Sequence, residues 1–201
     1  MLTPKERLLE FAAKNKFFRA SDAEAQTQVS RVYLQRLVER GKLVRTARGL
    51  YSLAGGDDFT ETRDVLEVAA RVPRGVLCLL SALRFHELTT QNPSEIWLTI
   101  ERGQRVPKVE NVPVRVFRFA VKVYEAGIET HQIEGAEVKV YSAAKTVADC
   151  FRYQREVGFD VALEALRDAW AKRKATMEEL YHFAAIRNIK NKMLPYLKTL
   201  G

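Results

Sequence analysis

Cysteine is scarce in this chain of 201 residues: Cys78 and Cys150 are the two present, each inside an apolar stretch. A disulfide framework needs more of them, and a metal site needs them paired at short spacing. Both therefore read as buried thiols in a reducing cytoplasm. The three histidines, His86, His131 and His182, are spread over separate segments without metal-ligand spacing. Long hydrophobic runs are missing too. The longest, Gly75–Leu80, is far too short to cross a bilayer, and Met1–Lys5 lacks the basic, apolar and small-residue series of a secretory signal. There is no glycine-rich dinucleotide pattern, no internal repeat and no low-complexity tract. The sequence thus leads us to expect no cofactor, no metal, no membrane partner and a cytoplasmic location.

What is present is ordinary globular material, 47% hydrophobic and 29% charged, enough for one large domain or two small ones. Net charge is +8, and its distribution says more than its size. Residues 1–55 carry eleven Lys and Arg against five Asp and Glu, so a quarter of the chain holds most of the excess. Positive charge concentrated in this way suits a module that binds a polyanion.

That basic quarter has a readable order. Thr3-Pro4-Lys5-Glu6 combines a capping Thr, a first-turn Pro and a Glu three residues after the cap, predicting a helix that buries Leu8, Leu9, Phe11, Ala12 and Ala13. Ser21 with Glu24 predicts a second capping box and a helix whose Ala20, Ala23 and Ala25 allow close approach. Thr27-Gln28-Val29 makes the turn, and Ser30 caps a third helix with Leu34, Leu37 and Val38 on its inner stripe. At 100° per residue, Val32, Gln35, Arg36, Glu39 and Arg40 face the other way, with Arg31 and Tyr33 on the flanks. Gly41 ends the helix. Leu43–Arg45 and Leu50–Leu53 are strand-like runs around a tip at Arg48.

Three helices and a basic hairpin in this order predict a winged helix-turn-helix, which docks one helix in a DNA groove. Ala54-Gly55-Gly56-Asp57-Asp58 reads as a boundary, giving a DNA-binding domain at 1–55 and a second domain at 56–201. Beyond it the expectation is α+β. A helix spans Thr62–Arg71, Val76–Leu80 is ambiguous between strand and helix, strands cover Ile96–Ile100 and Val114–Phe119, and a hairpin runs from His131 to Tyr141. The C-terminal half is helical: Ser142 to Tyr153, then Val161–Lys172, Met177–Ile186 and Lys190–Leu200. The fold class expected is therefore mainly α with an α+β second domain. Trp97, Phe117, Phe119, Phe151 and Trp170 are its expected aromatic core.

The candidate DNA-binding residues are Ser30, Arg31, Val32, Tyr33, Gln35, Arg36, Arg45 and Arg48. Arginine pairs bidentately with guanine, glutamine with adenine, and an apolar side chain meets a thymine methyl. Donors at the start of the third helix, at Ser30 and Arg31, suit phosphate, and Arg45 and Arg48 on the wing reach an adjacent backbone or minor groove. Glu39, on the same face, would repel DNA. A winged helix used only for protein contacts is the bland alternative.

Enzyme-like strings have cheaper explanations. Tyr141-Ser-Ala-Ala-Lys145 matches a dehydrogenase Tyr-x-x-x-Lys pair and a Ser-x-x-Lys pair, but none of the companion motifs follows. A strand ending at Tyr141 and a helix capped by Ser142 account for both. Glu137 and Lys139 share a strand face, as in metal-dependent nucleases, yet a supporting carboxylate is wanting, since Glu125 and Glu129 fall in expected loop. The simpler reading is a solvent-facing pair on an edge strand. Ser81 and His86, five apart on a helix, point about 140° away from each other. No catalytic residue and no metal ligand is assigned.

Taken together, the basic N-terminal module ending in GLYSL (49–53), LCLLSALRFHELTTQNPSEIWLTI (77–100) and VKVYSAAKTVADCFRYQREVGFDVALEAL (138–166) resemble AbiEi-type antitoxins of type IV abortive-infection toxin–antitoxin systems. The likeness runs from about Leu8 to Leu194 and rests on pattern and order, with no catalytic signature. It implies a bacterial repressor that binds inverted repeats in double-stranded DNA upstream of its own operon. It also implies a second domain that serves repression and neutralisation of a nucleotidyltransferase-like toxin. Residues carried over are the helix around Arg31–Arg36 and the wing around Arg45–Arg48.

Overall fold

The structure, a computed structural model, describes residues 3–15, 17–47, 49–54, 61–105, 109, 112–133 and 136–200. Helix α1 (Pro4–Lys14) begins where Thr3 and Glu6 cap one another. The Thr3 N–H donates to Glu6 Oε2 at 2.7 Å and the Glu6 N–H to Thr3 Oγ1 at 3.3 Å. Leu8, Phe11 and Ala12 are buried. Leu9 is half-buried and Ala13 faces solvent, so the inward stripe is narrower than the sequence suggested.

A two-residue strand, β1 (Phe18–Arg19), leads straight into α2 (Ala20–Thr27). Here the expected capping box is absent: Ser21 does not cap α2 and Glu24 does not close back on it. Pairing of β1 with the hairpin, together with an Ala20 N–H to Gly49 O bond of 2.9 Å, starts the helix one residue before Ser21. Ser21 is left inside the first turn, where its hydroxyl contacts Asp22. Ala20 and Ala23 are buried, but Ala25 is exposed.

Gln28 adopts a left-handed conformation (φ 59°) that ends α2, and Ser30 caps α3 (Arg31–Glu39) by accepting the Tyr33 N–H. Leu34 and Leu37 are its fully buried residues, each contributing about 1.5–3 kcal/mol of transfer free energy. Gly41, at φ +64°, ends α3 in a Schellman turn, with Lys42 N–H to Leu37 O and Gly41 N–H to Val38 O, both 2.9 Å. The chain returns as a hairpin, β2 (Leu43–Ala47) and β3 (Leu50–Leu53). With β1 it forms a three-stranded sheet of order β1-β3-β2, so Tyr51 lies on the central strand. Phe11, Phe18 and Tyr51 pack in series, at 5.4 Å edge-on and 6.1 Å stacked. Every residue of this core cluster lies between Leu8 and Leu53.

The boundary expected at Ala54–Asp58 falls largely on residues 55–60, outside the described ones. Helix α4 (Glu61–Arg71) follows. Two compact units emerge: one runs to Pro73 and takes in His131–Val138, and the other holds Arg74–Thr130 and the chain from Lys139 on.

The ambiguous stretch Val76–Leu80 is both things at once: β4 (Val76–Leu77), then α5 (Leu79–Phe85), joined through Cys78 with Leu79 at φ +47°. Next come β5 (Ile96–Glu101), β6 (Val114–Phe119), α6 (Val121–Glu125), β7 (Ile128–Ile133) and β8 (Ala136–Tyr141). The sheet order is β6-β5-β4-β8-β7, with β4–β8 and β5–β6 parallel and β4–β5 antiparallel. The helices are α7 (Ala143–Arg152), α8 (Gln154–Val157), α9 (Phe159–Ala171), α10 (Met177–Ile186) and α11 (Lys190–Leu197). Helix α7 is buried from Ala143 to Phe151 and packs against α5, α9, α10 and α11.

Several expectations change here. Glu125 ends a helix and Glu129 lies in a strand, where loop was expected. Strand β8, with Glu137 and Lys139, sits between β4 and β7 and is no edge strand. Trp97, Phe119 and Phe151 are buried, but Phe117 is half-buried and Trp170 is exposed on the outer side of α9. No described helix is long and apolar enough to cross a membrane.

Candidate nucleic-acid interface

The outward face of α3, the start of α2 and the hairpin enclose an open groove of about 770 Å³. Arg19, Ala20 and Ser21 form one wall. Arg31, Val32, Gln35, Arg36 and Glu39 supply the helix face, and Arg45, Gly49 and Tyr51 the hairpin side. The β1–β3 register puts Arg19 here, opposite Leu50, and the β2–β3 register puts Arg45 opposite Tyr51. Four arginines and one glutamate thus line a single concave surface. Val32 is 64% exposed in its midst.

The groove's polar heads fall into two sets. Arg31 is engaged: its backbone N–H donates to Glu24 Oε1 at 3.2 Å and its Nε to Glu24 Oε2 at 3.1 Å. Arg19 is held as well, donating from Nη2 to the Ala70 carbonyl at 3.2 Å, in the last turn of α4, where a cation also meets the negative end of the helix dipole. By contrast, the side chains of Gln35, Arg36, Glu39 and Arg45 make no hydrogen bond or ion pair with any other described residue, and all four are exposed.

Of the residues expected from sequence, Arg31, Val32, Gln35, Arg36 and Arg45 come together in this groove. Ser30 does not line it; its hydroxyl is consumed as the α3 cap. Tyr33 is half-buried and packs on the core. Arg48 lies outside the described residues. The phosphate-type donor at Arg31 is already taken by the Glu24 carboxylate. Sequence reasoning missed Arg19, Ser21 and Tyr51. Their place depends on the pairing of a two-residue strand, too short to leave a periodic signal.

The enzyme-like residues of the second unit are absorbed by packing. Tyr141 donates its hydroxyl to the Tyr124 carbonyl at 2.8 Å, and burial pushes its pKa well up. Lys145 is fully buried, 2.5 Å from Asp149, which is also 2.6 Å from Arg187. Burial pushes the Lys145 ammonium down, against the pull of Asp149. The Lys145 Nζ stands 4.0 Å from the Tyr141 ring centre and the Arg187 guanidinium 4.6 Å from that of Phe119. Ser81 accepts the Trp97 N–H at 2.8 Å, and a His86 ring nitrogen lies 2.7 Å from the Tyr141 carbonyl. Among the described residues, no three His, Cys, Asp or Glu stand together as metal ligands.

Comparison with known families bears on the groove directly. Residues 6–54, which contain all of its lining, match the family model described as "Transcriptional regulator, AbiEi antitoxin". This segment is similar to the AbiEi antitoxin family. The AbiEi segment spans α1 to the end of β3 and so takes in the whole N-terminal core cluster. The RV2827C protein from Mycobacterium tuberculosis, known from a crystal structure, aligns over 98% of this chain and 78% of its own. It does so with a TM-score of 0.62 and 13% identity, which is a likeness of fold. No curated protein matches. The AbiEi match indicates a transcriptional regulator and antitoxin of the abortive-infection kind.

Proposed function

We propose that α1–α3 with the β2–β3 hairpin act as a winged helix-turn-helix, with α3 entering the major groove of duplex DNA and the hairpin on the flanking backbone. In this reading the chain represses its own operon at inverted repeats, without catalysis of its own. Residues 1–55 are the DNA-binding domain and 56–201 the domain that serves repression and antitoxin action towards a nucleotidyltransferase-like toxin, in the cytoplasm. The observation that carries it is the groove: Val32, Gln35, Arg36 and Arg45 line one concave surface, and the side chains of Gln35, Arg36 and Arg45 have no partner among the described residues. Arginine, glutamine and an apolar group are the side chains suited to guanine, adenine and thymine.

The test is binding of the full chain to duplexes from its own upstream region, measured against salt. Affinity should fall steeply as salt rises, and Arg36→Ala should weaken binding and relax preference at one base pair. Undiminished, equally selective binding by Arg36→Ala would remove α3 from the groove. For the antitoxin half, co-expression with the product of a neighbouring nucleotidyltransferase-like reading frame should rescue growth.

A further inference from the structure

An acid in a cationic groove needs a reason. Glu39 lines the same surface as Arg31, Arg36 and Arg45, and Arg36 lies three residues before it on α3, the spacing at which opposite charges on a helix neutralise each other. Here they do not pair: neither side chain has a partner among the described residues. Glu24 shows the contrast, since its carboxylate is bound twice by Arg31. Glu39 is thus an exposed, uncompensated acceptor set among the groups proposed to meet base edges. Against phosphate it is purely repulsive.

We infer that Glu39 is a specificity-determining residue that selects cytosine in the major groove, an inference that rests on the DNA-binding reading above. A carboxylate can only accept hydrogen bonds. In the major groove guanine offers two acceptors and thymine an acceptor beside a methyl, so both repel or ignore it. Adenine offers a donor next to the N7 acceptor, a pattern that fits an amide such as Gln35 and sets one carboxylate oxygen against a lone pair. Cytosine offers its N4 amino donor with no acceptor beside it. A C·G pair therefore rewards Glu39. The reversed G·C pair confronts it with the guanine O6 and N7, so the residue discriminates by repulsion as well as by attraction.

The experiment is selection of bound duplexes from a randomised pool by the full-length wild type, Glu39→Ala and Glu39→Gln, with affinities of the selected sites then measured. The wild-type motif should hold one fixed cytosine. Replacing it should cost about tenfold in affinity, the size of one good base contact. Glu39→Ala should lose that one preference while keeping the others, bind non-cognate duplexes more tightly, and show no tenfold penalty at that position. Glu39→Gln should move the preference towards adenine. A motif whose every position survives Glu39→Ala would overturn the assignment and leave the DNA-binding reading standing. A wild-type chain that enriches no motif and binds DNA independently of salt would overturn both.

Discussion

Glu24 and Arg31 are joined at two points, the carboxylate taking both the backbone N–H and the Nε of the same residue. The pair ties α2 to the first residue of α3 and puts a carboxylate at a helix N-terminus, the place that suits an anion and that the proposed function gives to phosphate. Arg31 is 69% and Glu24 37% exposed at the side chain, so the contact is worth under about 1 kcal/mol to folding. Its effect belongs to binding. Glu24→Ala should leave the melting transition nearly unchanged, tighten DNA binding several-fold and steepen the slope of log affinity against log salt by about one unit. An unchanged slope would mean that Arg31 never meets phosphate.

The buried cluster on α7 makes an asymmetric prediction. Asp149 holds two cations, Lys145 and Arg187, with Lys145 and Asp149 fully buried and Arg187 nearly so. Removing the acid strands both cations, whereas removing Lys145 leaves a neutral Asp149–Arg187 pair. Asp149→Ala should therefore cost about 3–5 kcal/mol. Lys145→Met should cost clearly less, because its chain still fills the space against the Tyr141 ring. Denaturant unfolding of the two variants decides; equal losses would show that the cluster acts by packing alone.

Gly127 is irreplaceable for two reasons that a pair of variants separates. Its φ is +74°, and a Cβ there would come within 2.9 Å of Phe183 Cζ and 3.0 Å of Lys145 Cβ. Gly41 has φ +64° but open space around its missing Cβ. Gly41→Ala should cost about 1 kcal/mol, the left-handed penalty alone. Gly127→Ala should add an overpacking cost of about 1–3 kcal/mol, read as a larger drop in denaturation midpoint.

Burial pushes both thiols, Cys78 and Cys150, well above their ordinary range. At neutral pH neither offers a thiolate. A thiol reagent should leave the native chain unlabelled for as long as it stays folded, and modify both cysteines together once denaturant is added. Rapid labelling of one in the native chain would contradict the closed packing around α5 and α7.

Local signals were the legible ones. Thr3, Ser30 and Ser142 each cap the helix the sequence assigned to them, because a cap is a contact within three residues. Ser21 carries the same signature and fails, since Phe18–Arg19 pairs with Leu50–Tyr51 and moves the helix start ahead of it. The groove was half legible. The helical period alone gave the face with Val32, Gln35 and Arg36, while Arg19 and Tyr51 needed the strand register. The ion cluster had a trace in sequence: Lys145 and Asp149, four apart, are charged residues in a helix otherwise small or apolar up to its last residue, Arg152. Arg187, from another helix, had none. The place of β8 inside the sheet was equally hidden, because parallel partners far apart in the chain leave no local mark.

That parallel pairing also sets an order of events on the ribosome. The cluster from Leu8 to Leu53 has all its members as soon as Leu53 emerges. Leu77, on the middle strand, must wait for its partner Val140, which at about 5–20 residues per second arrives several seconds later. The N-terminal core cluster is thus complete first, and a nascent chain still threading its second half already carries the helix and hairpin that line the groove.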